Sequence, residues 1–365
     1  MTESAESLPQ FRRVLVEDAT GLHFLLPELN RQQVLGIDLE MGQRVIRKPG
    51  GVQEWTHTLA LIQIAAGDLS VVIDPLRCPT DSLAPLMSGP ARKVFLGGGQ
   101  DAALLDKAGI PAINIADVGE VAYALYGRRE DGMAALAMRI FGISLDKTVR
   151  RTDWLLRPLN PTLLAYAHRD AELTLGIYHW FQREHPEVLR MHERPVLDES
   201  LPSTAPPWLL QAVSRSSVDA VGVVMAHDLS PATDVEVLAD AIRPYLARET
   251  APRLLNRLVR VAGDLHCVPL LPYIEGLVTS RSSLLRASAA RAIGQLGEGE
   301  KGEASLRQLL EDPVLDVRRS AEGGLRELRR PSRPIEAEVE EEQPSIGGDA
   351  LSALEALKAQ LQEAE

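Results

Sequence analysis

The sequence has few cysteines and no long apolar run, and each shortage argues against a class of protein. Its two cysteines, Cys78 and Cys267, are far apart and follow no metal-ligand spacing, so we predict a reducing, cytoplasmic location. The first ten residues are polar and acidic without an apolar core, which predicts no signal peptide. No apolar segment approaches the roughly 20 residues of a membrane span, so we predict a soluble protein that does not bind membranes.

The sequence also lacks an excess of basic residues. Its formal net charge is −12, although phosphate contacts normally come from Lys and Arg. Residues 1–190 carry 20 basic and 23 acidic side chains, residues 191–330 carry 17 and 19, and residues 331–365 carry 2 and 9. The acidity is therefore concentrated at the carboxyl-terminal end, and the overall charge does not exclude a nucleic-acid partner.

Length and composition predict more than one domain. The chain has 365 residues and 45% hydrophobic content, enough for real cores. Composition changes along the chain predict an α/β domain at 1–190, a Pro-rich linker at 191–207 and an all-α domain at 208–330. An acidic disordered linker is predicted at 331–350, and Leu351, Leu354, Leu357 and Leu361 predict a short amphipathic helix at 351–365.

Two carboxylates follow a short β-branched run that is typical of a buried strand in a parallel sheet. The run 34–37 predicts a strand with Asp38 and Glu40 at its carboxyl end. Residues two apart in a strand point to one face, so both carboxylates face one cavity and suit a shared cation. Taken alone, an Asp-x-Glu pattern is more often a solvated turn.

Two further motifs carry acidic residues. Asp101 follows a strand-like run at 93–96 and three glycines, at a position that suits either a metal ligand or a helix cap. Helical spacing at 161–181 places Tyr166 and Asp170 one turn apart on one face. The alternatives for Asp170 are a hydrogen bond to Tyr166 or a salt bridge to Arg169.

In this order, the three motifs resemble the ribonuclease D branch of the DEDD 3′→5′ exonucleases, and Tyr166 resembles the tyrosine of its DEDDy subgroup. The likeness extends over 12–185, including strand-like segments at 59–65 and 71–76. Its most specific part is the pair of segments 144–147 and 151–159.

The resemblance implies a fold and a reaction. The fold would be RNase H-like, a mixed five- to six-stranded sheet flanked by helices. Asp38, Glu40, Asp101 and Asp170 would bind two divalent cations, Mg²⁺ or Mn²⁺, and Tyr166 would orient the attacking water. The product would be a nucleoside 5′-monophosphate released from an RNA 3′ end, such as that of a tRNA precursor.

The sequence departs from the family pattern near the motifs. Leu39 replaces the Thr of bacterial ribonuclease D and resembles eukaryotic exosome-associated relatives, and Leu96 stands where many relatives have His. We take Leu39, Met41, Leu96 and Arg151 as candidate substrate-binding residues. The segment 42–57 is longer and more basic than a tight turn, and its Arg44, Arg47 and Lys48 form either a phosphate-contacting loop or a solvated hairpin.

The second half of the chain shows an internal repeat. Segment 285–296 matches 317–328 at a spacing of 32 residues, and a fainter copy lies at 254–265, 31 residues earlier. The segment resembles HEAT-type helical repeats. Four arginines of the repeats either guide RNA or form the solvated side of a protein-binding solenoid: Arg286, Arg291, Arg318 and Arg319. A third possibility is that the whole segment is a plain helical bundle without repeats.

We therefore predict a metal-dependent 3′→5′ exoribonuclease that acts on RNA 3′ ends. The alternatives are the same chemistry on DNA, or an inactive scaffold that binds nucleic acid or protein. A protein partner would use the helical repeats or the carboxyl-terminal helix.

Overall fold

Six strands form the only sheet among the residues that the computed structural model describes, which are 6–47, 53–128, 130–145, 152–193, 201–215, 217–247, 250–297 and 299–329. The strands are Arg12–Val16 (β1), Val34–Arg47 (β2), Gln53–Ala66 (β3), Leu69–Ile73 (β4), Arg92–Phe95 (β5) and Ile115–Asp117 (β6). Their order in the sheet is β1-β4-β3-β2-β5-β6.

The sheet is mixed, because one strand runs against the others. β3 is antiparallel to its neighbours β2 and β4, whereas the β1–β4, β2–β5 and β5–β6 pairs are parallel. β2 therefore lies between an antiparallel and a parallel neighbour. The predicted five- to six-stranded mixed sheet is confirmed.

Helices cover both faces of the sheet in the first half of the chain. They are Ala19–Leu29 (α1), Ala84–Met87 (α2), Gly99–Lys107 (α3), Val118–Tyr126 (α4), Met133–Phe141 (α5), Pro161–Glu184 (α6) and Pro186–His192 (α7). On one face, α1, α2 and α3 pack against apolar residues such as Leu35, Ile37 and Ile64. On the other face, α4, α5, α6 and α7 pack around Val94, Leu173 and Ile177. The predicted helix at 161–181 is present as α6 and continues to Glu184.

β2 is longer than the sequence pattern predicts. The apolar run 34–37 predicts a short strand, but β2 has 14 residues and pairs with β3 as far as Arg47 opposite Gln53. Its pairing with β5 covers only Val34 to Gly36, so the parallel neighbour ends just before Asp38. The prediction that Asp38 and Glu40 end the strand is therefore wrong, because antiparallel pairing with β3 extends the strand beyond them.

The described parts of the basic segment 42–57, residues 42–47 and 53–57, lie in the outer parts of β2 and β3, which pair with each other. Arg44 and Arg47 are exposed on β2, and Lys48 lies outside the described residues. The hydroxyl of Thr56 donates to the carbonyl of Arg44 at 3.2 Å across the pair. The described part of this segment therefore forms two paired strands, as the hairpin alternative predicts.

The second half of the chain is helical, as predicted. Its helices are Pro207–Ala212 (α8), Ala220–Met225 (α9), Val235–Ala247 (α10), Pro252–Asp264 (α11), Leu271–Glu275 (α12), Ser283–Leu296 (α13), Gly299–Leu309 (α14) and Leu315–Leu328 (α15). They share one apolar core, which includes Leu258, Ile293 and Val317. The predicted linker is partly packed, since Leu201 and Ala205 are buried in this core. Segments 194–200, 331–350 and 351–365 lie outside the described residues.

The repeated segments form three helices that pack side by side, with α13 between α11 and α15. Glycines at matching repeat positions lie where the helices meet. A Cβ on Gly263 would come within 2.2 Å of the Gln295 side chain, and one on Gly294 within 2.4 Å of the Gly324 Cα. The repeat is therefore seen as regular helix packing, while its assignment to the HEAT type stays a prediction.

Two of the four repeat arginines hold the backbone of their own repeat. Arg286 donates to the carbonyls of Ser280 and Arg281, six and five residues earlier. Arg318 donates to the carbonyls of Asp312 and Pro313 at the same two offsets. These two arginines therefore stabilise the turns that precede α13 and α15.

The helical half contacts the sheet-containing half through α4. Arg253 forms an ion pair with Glu120, the Ser283 hydroxyl donates to the Tyr123 carbonyl at 2.9 Å, and the Arg128 backbone N–H donates to Asp316 at 2.9 Å. In the part of the chain that the structure describes, every helix is too short or too polar to cross a membrane.

Candidate active site

Three carboxylates converge where α6 crosses β2. One oxygen from each of Asp38, Glu40 and Asp170 lies within 4.8 Å of the other two. Asp38 and Glu40 share a face because strand side chains alternate, and Asp170 projects from the helix that covers this face. Asp170 is 5% exposed, so the cluster lies at the bottom of the site rather than on the surface.

A glycine in β2 brings α6 close enough to form this cluster. A Cβ on Gly36 would lie 2.7 Å from the carbonyl oxygen of Ala171 and equally close to the Leu175 backbone nitrogen, distances that real Cβ atoms do not show. Gly36 precedes Asp38 by two residues and therefore lies on the same face. The missing side chain lets the backbone of α6 rest on the strand, with Asp170 beside Asp38.

Helix α6 begins just before the tyrosine that the motif predicts. Asn160 caps it by accepting from the Thr162 backbone N–H at 2.8 Å, and Pro161 fills the first turn. Tyr166 is half-buried one turn before Asp170, and its ring lies 6.1 Å from that of Trp154. The cap sets where the helix starts, and with it which face carries Tyr166 and Asp170.

The segment before α6 is tied to the sheet by a buried ion pair. Arg157 binds both carboxylate oxygens of Asp74, at 2.5 and 2.8 Å, and also donates to the Ala60 carbonyl at 3.0 Å. This anchor holds Leu155 against β2, where a Cβ on Gly42 would overlap the Leu155 side chain at 2.1 Å. Arg157 thus positions the segment that packs beside the carboxylates. The Arg157–Pro158 peptide bond is cis.

The candidate substrate-binding residues predicted from the sequence lie in different environments. Leu39 is buried in the core on the opposite face of the sheet from Asp38 and Glu40, so its side chain does not face the carboxylates. Met41 is half-buried and follows a β-bulge between Glu40 and Met41, a feature common beside active sites. Leu96 packs against the core at the end of β5, and Arg151 lies outside the described residues.

Asp101 is not a member of the three-carboxylate cluster. It lies in the first turn of α3, which begins at Gly99, and it is half-buried. Burial, and secondly the negative charge of Asp117, raise the pKa of Asp101 to about 6. The structure therefore brings three of the four predicted metal ligands together and places the fourth beside another carboxylate.

Asp117 shapes the turn that carries Asp101, and the sequence pattern does not reveal it. Its carboxylate accepts from the backbone N–H groups of Gly97 at 2.9 Å, Gly98 at 3.0 Å and Gly119 at 2.8 Å. Burial raises the pKa of Asp117, and these hydrogen bonds oppose that rise. The available signal was a lone Asp at the end of a three-residue strand, which in most sequences marks only a helix cap.

Two neutral polar side chains are buried on the same face of the sheet as the carboxylates. Gln63 lies directly opposite Asp38 in the β2–β3 pair and is fully buried, and Thr174 follows Asp170 by one turn of α6. The Gln63 amide atoms and the Thr174 hydroxyl have no hydrogen-bond partner among the described residues. Buried polar groups normally have hydrogen-bond partners, and these two side chains lie on the face that carries Asp38 and Asp170.

A second polar pair on α6 is satisfied within the fold. The Ser70 hydroxyl and His168 Nδ1 lie 2.8 Å apart, and both side chains are buried. Burial, and secondly the nearby Arg13, lower the pKa of His168 to about 4. His168 is therefore a neutral partner for Ser70 at pH 7.

The donor set suits a hard divalent cation. Mg²⁺ and Mn²⁺ prefer carboxylate oxygens, and the described part of this site offers three that converge with unpartnered amide and hydroxyl groups nearby. Three negative charges at this separation repel one another, and a bound cation would offset that repulsion. The arrangement can therefore hold a divalent cation.

Known proteins resemble the sheet-containing half of the chain. A family model described as a 3′-5′ exonuclease matches residues 14–186. A ribonuclease D from Zymomonas mobilis is 34% identical over 162 residues, which are 43% of this chain and 39% of that protein. The protein RRP6-like 3 of Arabidopsis thaliana is 28% identical over 209 residues, 56% of this chain and 22% of that protein. The chain thus spans well under two thirds of these relatives.

Solved structures also match parts of the chain at low sequence identity. A Trypanosoma brucei RNase D in complex with RNA U12 is 20% identical, with a TM-score of 0.42, over 51% of this chain and 68% of that one. The catalytic core of RRP6 from the same organism is 14% identical, with a TM-score of 0.44, over 90% of this chain and 82% of that one. The part of the chain that resembles known 3′–5′ exonucleases is therefore the segment 14–186, just under half of its length.

Proposed function

We propose that this protein is a divalent-metal-dependent 3′→5′ exoribonuclease that releases nucleoside 5′-monophosphates. The observation that carries the proposal is the convergence of Asp38, Glu40 and Asp170 within 4.8 Å, inside a domain of the 3′–5′ exonuclease family. RNA is the favoured substrate because the similar curated proteins include several named ribonuclease D. Processing of tRNA-type 3′ ends is the specific form of the proposal.

The chain's own residues have distinct roles in the proposed reaction. Asp38, Glu40 and Asp170 would hold Mg²⁺ or Mn²⁺, which supplies Lewis-acid stabilisation of the phosphate and an acidified water when bound. Tyr166, one turn before Asp170 and supported by Trp154, would orient that water with its hydroxyl. The buried floor beneath the carboxylates restricts other water, which strengthens the electrostatic interactions in the site.

Asp101 is proposed as the ligand that completes the set for a second cation. It lies outside the three-carboxylate group, but it is carried on a turn of three glycines, and side chains at Gly97 and Gly99 would meet nothing within 4 Å. A nearby cation would favour the ionised form of a carboxyl whose pKa is raised to about 6. The proposal therefore assigns Asp101 a role that depends on bound metal and substrate.

The proposal is tested with the full-length chain, Mn²⁺ and 5′-labelled single-stranded RNA. We expect stepwise shortening from the 3′ end and nucleoside 5′-monophosphates as products, and no shortening when the 3′ end is blocked by a phosphate. A matched DNA strand measures sugar preference, and a tRNA with a 3′ extension tests the specific substrate. Absence of any product from RNA in Mn²⁺ or Mg²⁺ would show that the proposal is wrong.

Individual ligands are tested by isosteric substitutions. Asp38→Asn and Asp170→Asn should each lower the rate by at least about a hundredfold, because each removes a charge from the cluster. Asp101→Asn should do the same if it completes the set. Asp106→Asn, on the exposed face of the same helix, is the matched control and should keep the full rate.

A further inference from the structure

A continuous groove lies between the exonuclease domain and the helical half. One cavity of about 530 Å³ is enclosed by α4, α13 and α15, and an adjacent cavity of about 470 Å³ reaches from α4 and α11 to the ends of β5 and β6. The two cavities share three lining residues, Tyr123, Arg128 and Leu284. We call the combined feature the interdomain groove, with a near part at the strand ends and a far part at α15.

The near part opens at the same edge of the sheet as the three carboxylates. β2, β5 and β6 are parallel neighbours, with Gly36 paired to Val94 and Val94 to Ala116. Asp38 therefore lies level with Leu96 and with the end of β6, and Leu96 and Asp117 line the groove. Neighbouring strands are about 4.8 Å apart, and the groove begins at the ends of β5 and β6, which are one and two strands away from Asp38. An RNA chain whose 3′ end lies at the carboxylates would reach this opening with its next nucleotides.

The two parts of the groove differ in charge. In the near part, Arg253 is paired with Glu120, and further acidic groups, Asp117 and Asp131, balance Arg257 and Arg128. The far part shares Arg128 with the near part and adds two arginines, Arg291 and Arg319, with a single acidic residue, Asp316. The three arginines of the far part are Arg128, Arg291 and Arg319. Positive charge is thus concentrated away from the catalytic carboxylates, where a phosphate backbone would continue.

Apart from Asp316, whose charge acts on Arg291, the groups that line the far part beside the three arginines are neutral. All three are exposed by surface area. Arg291 donates to the hydroxyls of Ser320 at 2.9 Å and Ser288 at 3.1 Å, which orients its guanidinium without neutralising it. Arg286, by contrast, binds both oxygens of the Asp312 carboxylate at 2.6 and 3.0 Å. The repeat arginines therefore divide into a structural pair, Arg286 and Arg318, and a groove-lining pair, Arg291 and Arg319.

We propose that Arg128, Arg291 and Arg319 bind phosphodiesters of the RNA strand upstream of the 3′ end that is being cleaved. The proposal rests on the proposed exonuclease function for the direction of the strand. Guanidinium groups match phosphate oxygens with two parallel hydrogen bonds, and such contacts do not depend on base sequence. The helical half would then supply affinity for RNA long enough to reach α15, while a very short oligonucleotide would occupy only the catalytic site.

The decisive experiment compares long and short RNA in the full-length protein. The double variant Arg128→Gln/Arg319→Gln removes two charges from the groove. Among the described residues, neither side chain forms a hydrogen bond or an ion pair that the substitution would break. Arg307→Gln is the matched control, because Arg307 pairs with Glu303 on the surface of α14 and does not line the groove. An added Arg291→Gln change extends the series to all three arginines.

Binding is measured by fluorescence anisotropy of a labelled 16-nucleotide RNA without divalent metal, so that no turnover occurs. We expect the double variant to bind about tenfold or more weakly, and its slope of log affinity against log salt to be less steep by about 1.4. Cleavage of a trinucleotide in Mn²⁺ should keep its wild-type rate. Unchanged binding of the 16-nucleotide RNA in both the double and the triple variant would overturn the groove proposal.

The two proposals fail in different ways. If the wild-type protein cleaves RNA but the arginine variants bind it normally, the exonuclease stands and the groove assignment is wrong. If the wild-type protein binds RNA through the arginines but cleaves nothing, the groove stands and the proposed reaction is wrong. If Arg307→Gln weakens binding as much as the double variant, the effect is general surface charge and the groove assignment is overturned.

Discussion

Gly36 in β2 lies in direct contact with Ala171 in α6, so close that a Cβ on Gly36 would lie 2.7 Å from the Ala171 carbonyl oxygen. This contact sets the separation between the strand that carries Asp38 and the helix that carries Asp170. We expect Gly36→Ala to push α6 outward, lower the free energy of unfolding by about 1–3 kcal/mol and reduce the exonuclease rate. Denaturant unfolding and the RNA assay in Mn²⁺ measure both effects.

Gly276→Ala is the matched control for this substitution. Gly276 has helical backbone angles, and a Cβ there would meet nothing within 4 Å. The Gly276→Ala substitution should leave both the free energy of unfolding and the cleavage rate near their wild-type values. A Gly36→Ala protein with wild-type stability and activity would show that α6 can shift without disturbing the carboxylates.

The buried ion pair between Arg157 and Asp74 should contribute more to stability than a surface pair of the same type. The side chains of Arg157 and Asp74 are 16% and 0% exposed, so removing the arginine strands a buried carboxylate. Arg157→Met should lower the free energy of unfolding by about 3–5 kcal/mol. The side chains of Arg12 and Glu28 form a surface pair and are 53% and 38% exposed. Arg12→Met breaks this pair and should lower the free energy of unfolding by less than about 1 kcal/mol. If Arg157→Met and Arg12→Met lower the free energy of unfolding equally in urea, the predicted effect of burial on the ion pair is wrong.

Local patterns in the sequence were enough to predict which acidic residues share a face. A period of two relates Asp38 to Glu40, and a separation of four relates Tyr166 to Asp170, and both relationships are present in β2 and α6. The mixed sheet and the exonuclease family were also predicted correctly. The metal-binding roles of these residues stay predictions.

Features that depend on distant pairing were not predictable from local patterns. β2 extends to Arg47 because β3 pairs with it, and no periodicity in 34–37 encodes that partner. Arg157 and Asp74 are 83 residues apart, so their ion pair leaves no local signal. The spacing of 32 predicted that α13 and α15 are related, but not that Arg286 and Arg318 bind backbone while Arg291 and Arg319 line a groove.

The carboxylate cluster should make the metal-free protein less stable than a variant with one charge fewer. Glu40→Gln keeps the side chain's size and removes one of three mutually repelling charges. In buffer with EDTA, we expect its free energy of unfolding to rise by about 1 kcal/mol while RNA cleavage is lost. Mn²⁺ should raise the wild-type melting temperature and raise that of Glu40→Gln much less, because ligands that bind the folded state stabilise it.

Glu184→Gln serves as the control for this charge change. Glu184 is exposed at the end of α6 and lies outside the cluster. Its substitution should change neither the metal-free stability nor the response to Mn²⁺. An equal melting-temperature rise in Glu40→Gln and wild-type protein would show that Glu40 does not bind the cation.

His192 at the end of α7 should make the fold sensitive to mild acid. Burial lowers its pKa to about 4, while the charges of Glu120 and Arg253 act in opposite directions. Because the unfolded chain binds a proton near pH 6.5 and the folded one near pH 4, this residue's contribution is complete above pH 6.5. Between these values the free energy of unfolding should fall as the pH decreases.

His192→Gln should remove part of that decline. Urea unfolding at pH 7.0 and pH 4.5 measures it, and the variant should lose on the order of 1–2 kcal/mol less than wild type between the two pH values. His23→Gln, at an exposed position of α1, should follow the wild-type curve. Buried His168 has a lowered pKa as well, so some acid sensitivity will persist in the variant.

Two adjacent glycines in α15 should respond in opposite directions to the same substitution. A Cβ on Gly324 would lie 2.5 Å from the Ala290 carbonyl oxygen and 2.9 Å from the Leu306 side chain, whereas one on Gly323 would meet nothing within 4 Å. Gly324→Ala should therefore separate α15 from α13 and lower the free energy of unfolding by about 1–3 kcal/mol. Gly323→Ala should raise it by up to about 1 kcal/mol, because alanine favours helix more than glycine does. Both values come from urea unfolding of the full-length protein. If Gly324→Ala is as stable as Gly323→Ala, the close packing of the repeat helices does not control the stability of the helical half.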